Sequence, residues 1–126
     1  VNIKKLHWVI DKVKILIEDF LKANPSKNSS QVTIACYGLA FKEDIGDLRE
    51  SPALKIARAI AAEHGGALLI AEPHIAELPH GLEAGRLAEI ADCNRADVHV
   101  MLVKHSAFAG MALPEGAIVD ACGAWN

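Results

Sequence analysis

The sequence predicts an α/β fold: a Rossmann-like, doubly wound parallel sheet of four to six strands with an additional N-terminal helix. Three observations carry that prediction. After residue 30, short apolar runs rich in Val, Ile and Leu alternate with helical patterns. Those runs are apolar throughout rather than alternating, as strands covered on both faces require. The stretch ahead of them has the period of one long amphipathic helix.

That first helix is expected from about His7 to Ala23. Val9, Ile10, Val13, Leu16, Ile17, Phe20 and Leu21 recur at helical spacing, while Asp11, Lys12, Lys14, Glu18, Asp19 and Lys22 take the other face. Trp8 is expected to pack along this helix and Trp125 in the tail. Asn24-Pro25 stops the helix, and Ser26 to Ser30 reads as a polar linker. Strand one is about Val32 to Tyr37. A helix follows from Pro52 to about His64, with Ser51 placed to cap it and Pro52 at its first position, where a missing N–H costs nothing. Its apolar residues are Leu54, Ile56, Ala57, Ile60 and Ala61, and Gly65-Gly66 is expected to end it. Strand two spans Ala67 to Ala71 and stops at Glu72-Pro73. A further helix is expected from about Glu83 to Asn94, with Leu87, Ile90 and Ala91 facing inward. Strand three is Val98 to Val103, a short helix covers His105 to Gly110, and strand four is Ala117 to Asp120.

Composition narrows the functional classes. The chain has 126 residues, 52% hydrophobic and 23% charged, so one packed domain is expected and disorder is not. A net charge of −3 argues against a general nucleic-acid or anionic-membrane surface. It leaves room for a nucleotide, since one phosphate group needs only a local cation or two. No apolar stretch approaches the ~20 residues of a membrane span, so neither a span nor a leader peptide is expected from these residues. The first residue is Val1, which fits a fragment or a processed chain. Cys36, Cys93 and Cys122 show no CxxC or Cys/His spacing and read as reduced, small apolar residues of a cytoplasmic protein.

Several chemistries are missing. There is no G-x-G-x-x-G after the first strand, no phosphate-binding G-x-x-x-x-G-K-[ST], no nucleophile elbow and no H-E-x-x-H. His74, His80 and His105 match no metal-ligand spacing and are expected on surface or loop, so no metal is expected. Glu72 stands at a strand end, where a ligand role and a capping or solvated role are both open.

What remains is the loop between strand one and its helix, Gly38-Leu39-Ala40-Phe41-Lys42-Glu43-Asp44-Ile45-Gly46-Asp47-Leu48-Arg49-Glu50-Ser51-Pro52. In open parallel sheets the crevice beyond the carboxyl ends of the strands is where ligands bind. Lys42 beside Phe41 pairs a point cation with a flat apolar surface, a combination able to hold a phosphate oxygen and shield a ring or sugar. The helix start at Ser51-Pro52 offers free N–H groups to an anion. On chemistry alone Lys42 divides evenly between that role and a loop ion network. For Arg49, Asp47 and Glu50 the ion network is the plainer reading.

The run from Gly38 to Ala53 closely resembles the signature of the carboxy-terminal domain of the UDP-glucose and GDP-mannose dehydrogenase family. Trp8-Val9-Ile10-Asp11, Ala71-Glu72-Pro73-His74, Ala96-Asp97-Val98, Met101 to Ser106 and Ile118 to Ala121 extend the resemblance over nearly the whole chain. Glu72-Pro73, His105-Ser106 with Phe108, and Gly123-Ala124-Trp125 resemble the family branch that acts on UDP-N-acetylmannosamine. The resemblance implies that residues 1–25 are a connecting helix from a central dimerisation region and 26–126 a UDP-sugar-binding domain. It implies an NAD-dependent enzyme that oxidises a sugar C6 alcohol to a carboxylate through a cysteine thioester, working as a homo-oligomer. NAD and the thioester cysteine belong to regions ahead of this one; Cys36, Cys93 and Cys122 lack the glycine-rich setting of that nucleophile, so no catalytic residue is expected here and the isolated chain should be inactive. By the same resemblance Phe41 and Lys42 contact the UDP-sugar, and Arg49 lines the cleft or shapes the loop. Glu43 stands where the family commonly has proline or another residue, and Cys122 falls near a position where relatives often carry a basic residue. The alternative from another class is a stand-alone, non-catalytic Rossmann-like nucleotide-binding or regulatory module.

Overall fold

A computed structural model of the chain describes residues 3–39, 51–108 and 116–121. Five strands form one sheet, all parallel, in the order β3-β2-β1-β4-β5. They are β1 (Ile34–Tyr37), β2 (Leu68–Ala71), β3 (Arg86–Leu87), β4 (Val98–Met101) and β5 (Ala117–Asp120). The helices are α1 (Ile3–Ala23), α2 (Pro52–Glu63) and α3 (Ile90–Cys93). β1, β2 and β4 are buried along their whole length, which is why they read as continuous apolar runs.

The pleat sends alternate residues to two cores. Ile34 and Cys36 face one with Val98, Val100 and Ile70, closed by Val9 and Val13 of α1 and Leu54, Ala57 and Ile60 of α2. Ala35 and Tyr37 face the other with Leu69 and Met101, closed by Cys93 of α3 and by Phe108 of a 3-10 turn over Ser106–Phe108. The doubly wound architecture is therefore as the sequence predicts.

Several details differ. α1 starts four residues earlier than His7, and Trp8 does not pack: it is 44% exposed, with Ile15 at 50%. The linker holds a 3-10 turn, Ser29–Gln31, closed by a reciprocal capping box between Asn28 and Gln31. Strand one therefore begins at Ile34, not Val32. α2 ends at Glu63 without a left-handed glycine, because His64 caps it in an extended conformation. Gly66 serves close approach instead, since a Cβ there would lie 2.6 Å from the Val32 carbonyl.

The largest departure is the helix expected over Glu83 to Asn94. Its first half is a turn followed by β3. The Gly85 N–H donates to the Leu82 carbonyl at 2.8 Å, then Arg86 and Leu87 pair with Leu69 and Ile70, and the Ala88 N–H reaches the Ile70 carbonyl at 2.9 Å. Satisfying the open edge of β2 outweighs the helical spacing of Leu87, Ile90 and Ala91. Only Ile90–Cys93 is helical, and Ala91 is exposed. The strand expected to Val103 stops at Met101, and of the short helix expected over His105 to Gly110 the described part is the 3-10 turn Ser106–Phe108.

Candidate functional site

β1, β2 and β3 run to one side of the sheet and β4, β5 to the other, so the direction of winding reverses between β1 and β4. The crevice outside the carboxyl ends at such a reversal is the expected ligand site. The edge is tightly built there. The Tyr37 carbonyl accepts both the Leu102 and Val103 N–H groups, at 3.0 and 3.1 Å, and the Gly38 N–H donates to the Ala71 carbonyl at 2.8 Å. Gly38 has φ +94, and a Cβ on it would lie 2.6 Å from Val103 Cβ, so no other residue fits without moving β4's extension.

Leu39, fully buried, follows. Its N–H donates to Glu72 Oε1 at 2.9 Å, and its carbonyl accepts from the Ser51 hydroxyl. Ser51 is itself the N-cap of α2, with Oγ accepting from the Leu54 N–H at 3.2 Å. Leu39 and Ser51 flank residues 40–50 and are bonded to each other, so both ends of that segment start from one buried point. Phe41, Lys42 and Arg49, the expected substrate-binding residues, lie outside the described residues, as do Glu43, Asp44, Asp47, Glu50, Cys122 and Trp125.

Behind Leu39 lies a pair that sequence spacing did not bring together. Glu72, first residue after β2, and His105, a few residues after β4, are both buried, and His105 Nε2 lies 2.7 Å from Glu72 Oε1. Burial alone would raise the Glu72 carboxyl, but N–H donors from Leu39 and His74 and the His105 ring outweigh it and hold it below the usual carboxylate range. An ionised carboxylate only accepts, so Nε2 carries the proton and donates. The His74 ring stands edge-on to His105, centroids 4.6 Å apart, and its own N–H donates to Glu72 Oε2 at 3.0 Å. The expectation of surface or loop histidines thus holds for His80, which pairs with Glu83 in solvent, for exposed His74, and for His105, which lies in the loop after β4 yet is buried there. Ligand-type atoms of Glu72, His74 and His105 lie within 4.8 Å of one another. As bonded here, Glu72 takes the His105 ring and the Leu39 and His74 N–H groups, and the arrangement is a hydrogen-bonded clamp. For Glu72 the capping alternative is the one the geometry supports. The available signal was that Glu72 and His105 each follow a strand flanking β1, so a parallel sheet brings both to one edge.

Tyr37, the last residue of β1, anchors a second buried network. Its hydroxyl lies 3.0 Å from Asn94 Oδ1 and 2.8 Å from His99 Nδ1. The single phenolic proton goes to the amide oxygen, so His99 Nδ1 carries a proton and donates. Burial, first, and the neighbouring Cys93 and Cys36 push the Tyr37 hydroxyl up, so it does not ionise at neutral pH. Burial likewise pushes Cys36 and Cys93 up to about 12, which makes both inert packing thiols.

Beyond the carboxyl ends of β2 and β3 opens a cleft of about 580 Å³, with Pro73, Arg86, Glu89, Ile90 and Asp92 on its walls. Its volume lies within the usual range for small-molecule sites. Among the described residues no helix is long and apolar enough to cross a membrane.

Comparison with known proteins fits this geometry. A family model described as "UDP-glucose/GDP-mannose dehydrogenase family, UDP binding domain" matches residues 35–126, from within β1 onward. The UDP-N-acetyl-D-mannosamine dehydrogenase of Salmonella typhi is 48% identical, over 100% of this chain and 31% of its own length. The chain thus spans about a third of the length of the curated relatives it matches. Two solved structures share the fold. A UDP-glucose dehydrogenase from the archaeon Pyrobaculum islandicum superposes with a TM-score of 0.71 at 18% identity, over 95% of this chain and 26% of that one. The UDP-N-acetyl-mannosamine dehydrogenase of S. aureus gives 0.60 at 26% identity, over 82% and 22%.

Proposed function

Because this chain belongs to the UDP-glucose/GDP-mannose dehydrogenase family, we propose that it is the part of an NAD-dependent nucleotide-sugar 6-dehydrogenase that holds the UDP half of the substrate. The observation that carries this reading is the family match over residues 35–126, which runs from within β1 through the remaining strands of the sheet. The substrate is UDP-N-acetyl-D-mannosamine and the product its uronate, a precursor of cell-surface polysaccharide. Relatives of that name and the resemblance at Glu72-Pro73 and His105-Ser106 support the choice of sugar.

In this reading Lys42 holds a pyrophosphate oxygen as a point cation, and Phe41 covers the ring or sugar with an apolar face. Arg49 lines the cleft or keeps the segment in shape. The doubly bonded root at Leu39 and Ser51 supplies what such a segment needs, two ends held in fixed relation. The protein is cytoplasmic and homo-oligomeric, and residues 1–25 connect 26–126 to the region ahead.

NAD does not fit this chain. Dinucleotide-binding halves present a glycine-rich first loop and an acid at the end of β2 that takes the ribose hydroxyl. Here the first loop lacks that pattern, and the β2 acid, Glu72, turns inward to Leu39 and His105. The dinucleotide therefore belongs to another part of the enzyme, and the family resemblance implies the same for the cysteine that carries the acyl group.

The test is the full-length protein supplied with UDP-N-acetyl-D-mannosamine and NAD. Oxidation of an alcohol to a carboxylate removes four electrons, so two NADH per sugar are expected, with the uronate identified by mass. UDP binding without any NADH from this sugar would refute the substrate, and failure to bind UDP would refute the reading as a whole.

A further inference from the structure

We propose that Glu72, His74 and His105 form a binding site for a first-row divalent cation of the zinc type, a staple that joins the end of β2 to the chain leaving β4. The site draws on no residue of 40–50 and does not depend on the nucleotide reading.

Each of the three residues offers one ligand atom, and these atoms lie within 4.8 Å of one another. A carboxylate with two imidazoles suits zinc and its transition-metal neighbours; magnesium and calcium prefer oxygen throughout. Around a tetrahedral zinc with bonds of ~2.0–2.1 Å, neighbouring ligand atoms stand about 3.3 Å apart. His105 Nε2 and Glu72 Oε1 are 2.7 Å apart, so the pair opens by roughly half an ångström to admit the ion. The ion takes the place of the Nε2 proton, and His105 binds as a neutral imidazole that keeps its other proton on Nδ1. Glu72 retains its backbone donors, because each carboxylate oxygen has two lone pairs and the Leu39 and His74 N–H groups use one apiece. Water fills the fourth position.

Two of the ligands are preset by the sheet. Glu72 follows β2 directly, and its oxygens accept from Leu39 at 2.9 Å and His74 at 3.0 Å, the outer bonds that orient a ligating carboxylate. The buried His105 ring is packed against Phe108 and His74, with centroids 5.6 and 4.6 Å away. His74 is exposed, so the ion enters from its side. Capping two backbone N–H groups requires only the carboxylate; two imidazoles within reach of it are what a metal requires. The spacing along the chain gives no zinc signature, because the ligands meet only through β2 and β4 on either side of β1.

The full-length protein is freed of metal with a chelator and dialysed against zinc chloride, and bound zinc is counted by elemental analysis. The parent is compared with His74→Ala, His105→Gln and His80→Ala, with circular dichroism to check the fold. His74→Ala removes an exposed ring and leaves the backbone N–H on Glu72, so the fold is retained. The parent is expected to bind about one zinc per chain more than His74→Ala or His105→Gln, since losing a ligand weakens the ion by about a hundredfold or more. His80→Ala removes another exposed histidine, one with Glu83 3.0 Å away, and is expected to keep the parent's zinc. A tenfold excess of magnesium is expected not to displace the ion. Equal zinc in the parent and in His74→Ala, the same loss in His80→Ala, or displacement by magnesium would overturn the proposal. Should His105→Gln fail to fold, His74→Ala decides alone.

Discussion

Replacing Ser51 by alanine removes two hydrogen bonds made by one buried oxygen. The hydroxyl caps α2 by accepting the Leu54 N–H, and it donates to the Leu39 carbonyl. Loss of an N-cap side chain costs about 1 kcal/mol. A buried carbonyl that loses its donor costs about 1 kcal/mol more, and Ser51 is only 2% exposed, so water does not take the vacant place without a rearrangement. The sum is about 2 kcal/mol. For a domain of this size that lowers the thermal midpoint by about 8 °C. Thermal and urea unfolding followed by circular dichroism measures it, with Ser51→Thr as the control, because threonine keeps the oxygen and caps nearly as well. A Ser51→Ala midpoint within about 2 °C of the parent would refute the description of Ser51 as the closing bond of the segment root.

Other outcomes follow from the same edge. Gly38→Ala puts a methyl on a φ of +94 and against Val103, so urea unfolding should show a loss of about 3 kcal/mol; a loss under about 1 kcal/mol would mean that the edge is looser than described. Glu72 has a folded pKa below its ordinary 4.5, so the stability from its charged form is present above that value and is lost as pH falls through the lower, folded one. Urea midpoints from about pH 6 to about pH 3 should therefore fall for the parent, and fall less for Glu72→Gln; equal slopes would contradict the clamp. In a Cys122→Ser background, Cys36 and Cys93 should resist a thiol reagent at about pH 8 until urea is added, and rapid labelling of the native protein would contradict their burial.

Local signals made much of the fold legible. Ser51-Pro52 announces the start of α2 because an N-cap and a proline at the first position act on neighbouring atoms only. β5 was legible to the residue, and β1, β2 and β4 to within two residues at each end. What failed depends on contacts distant in sequence. Arg86 and Leu87 are a strand because β2 has an edge to fill, and nothing between Glu83 and Asn94 says so. Trp8 fits the apolar run of α1 yet faces outward, because amphipathic spacing places the centre of a stripe better than its margin. Phe41, Lys42 and Arg49, read as site residues from the sequence, lie outside the described residues. The segment carrying Phe41 and Lys42 stands out for its residue types and its place after β1. The clamp on Leu39 does not, since Glu72 and His105 are 33 residues apart and meet only when the parallel order of β2, β1 and β4 is known.

The proposed function centres on Lys42 as the cation that would grip the pyrophosphate of a uridine nucleotide. Titrating UDP into the full-length protein and into its Lys42→Ala variant tests that most directly. The account predicts saturable binding by the parent and a loss of about tenfold or more in the variant, with the fold unchanged by circular dichroism. Equal affinities in the two would contradict it.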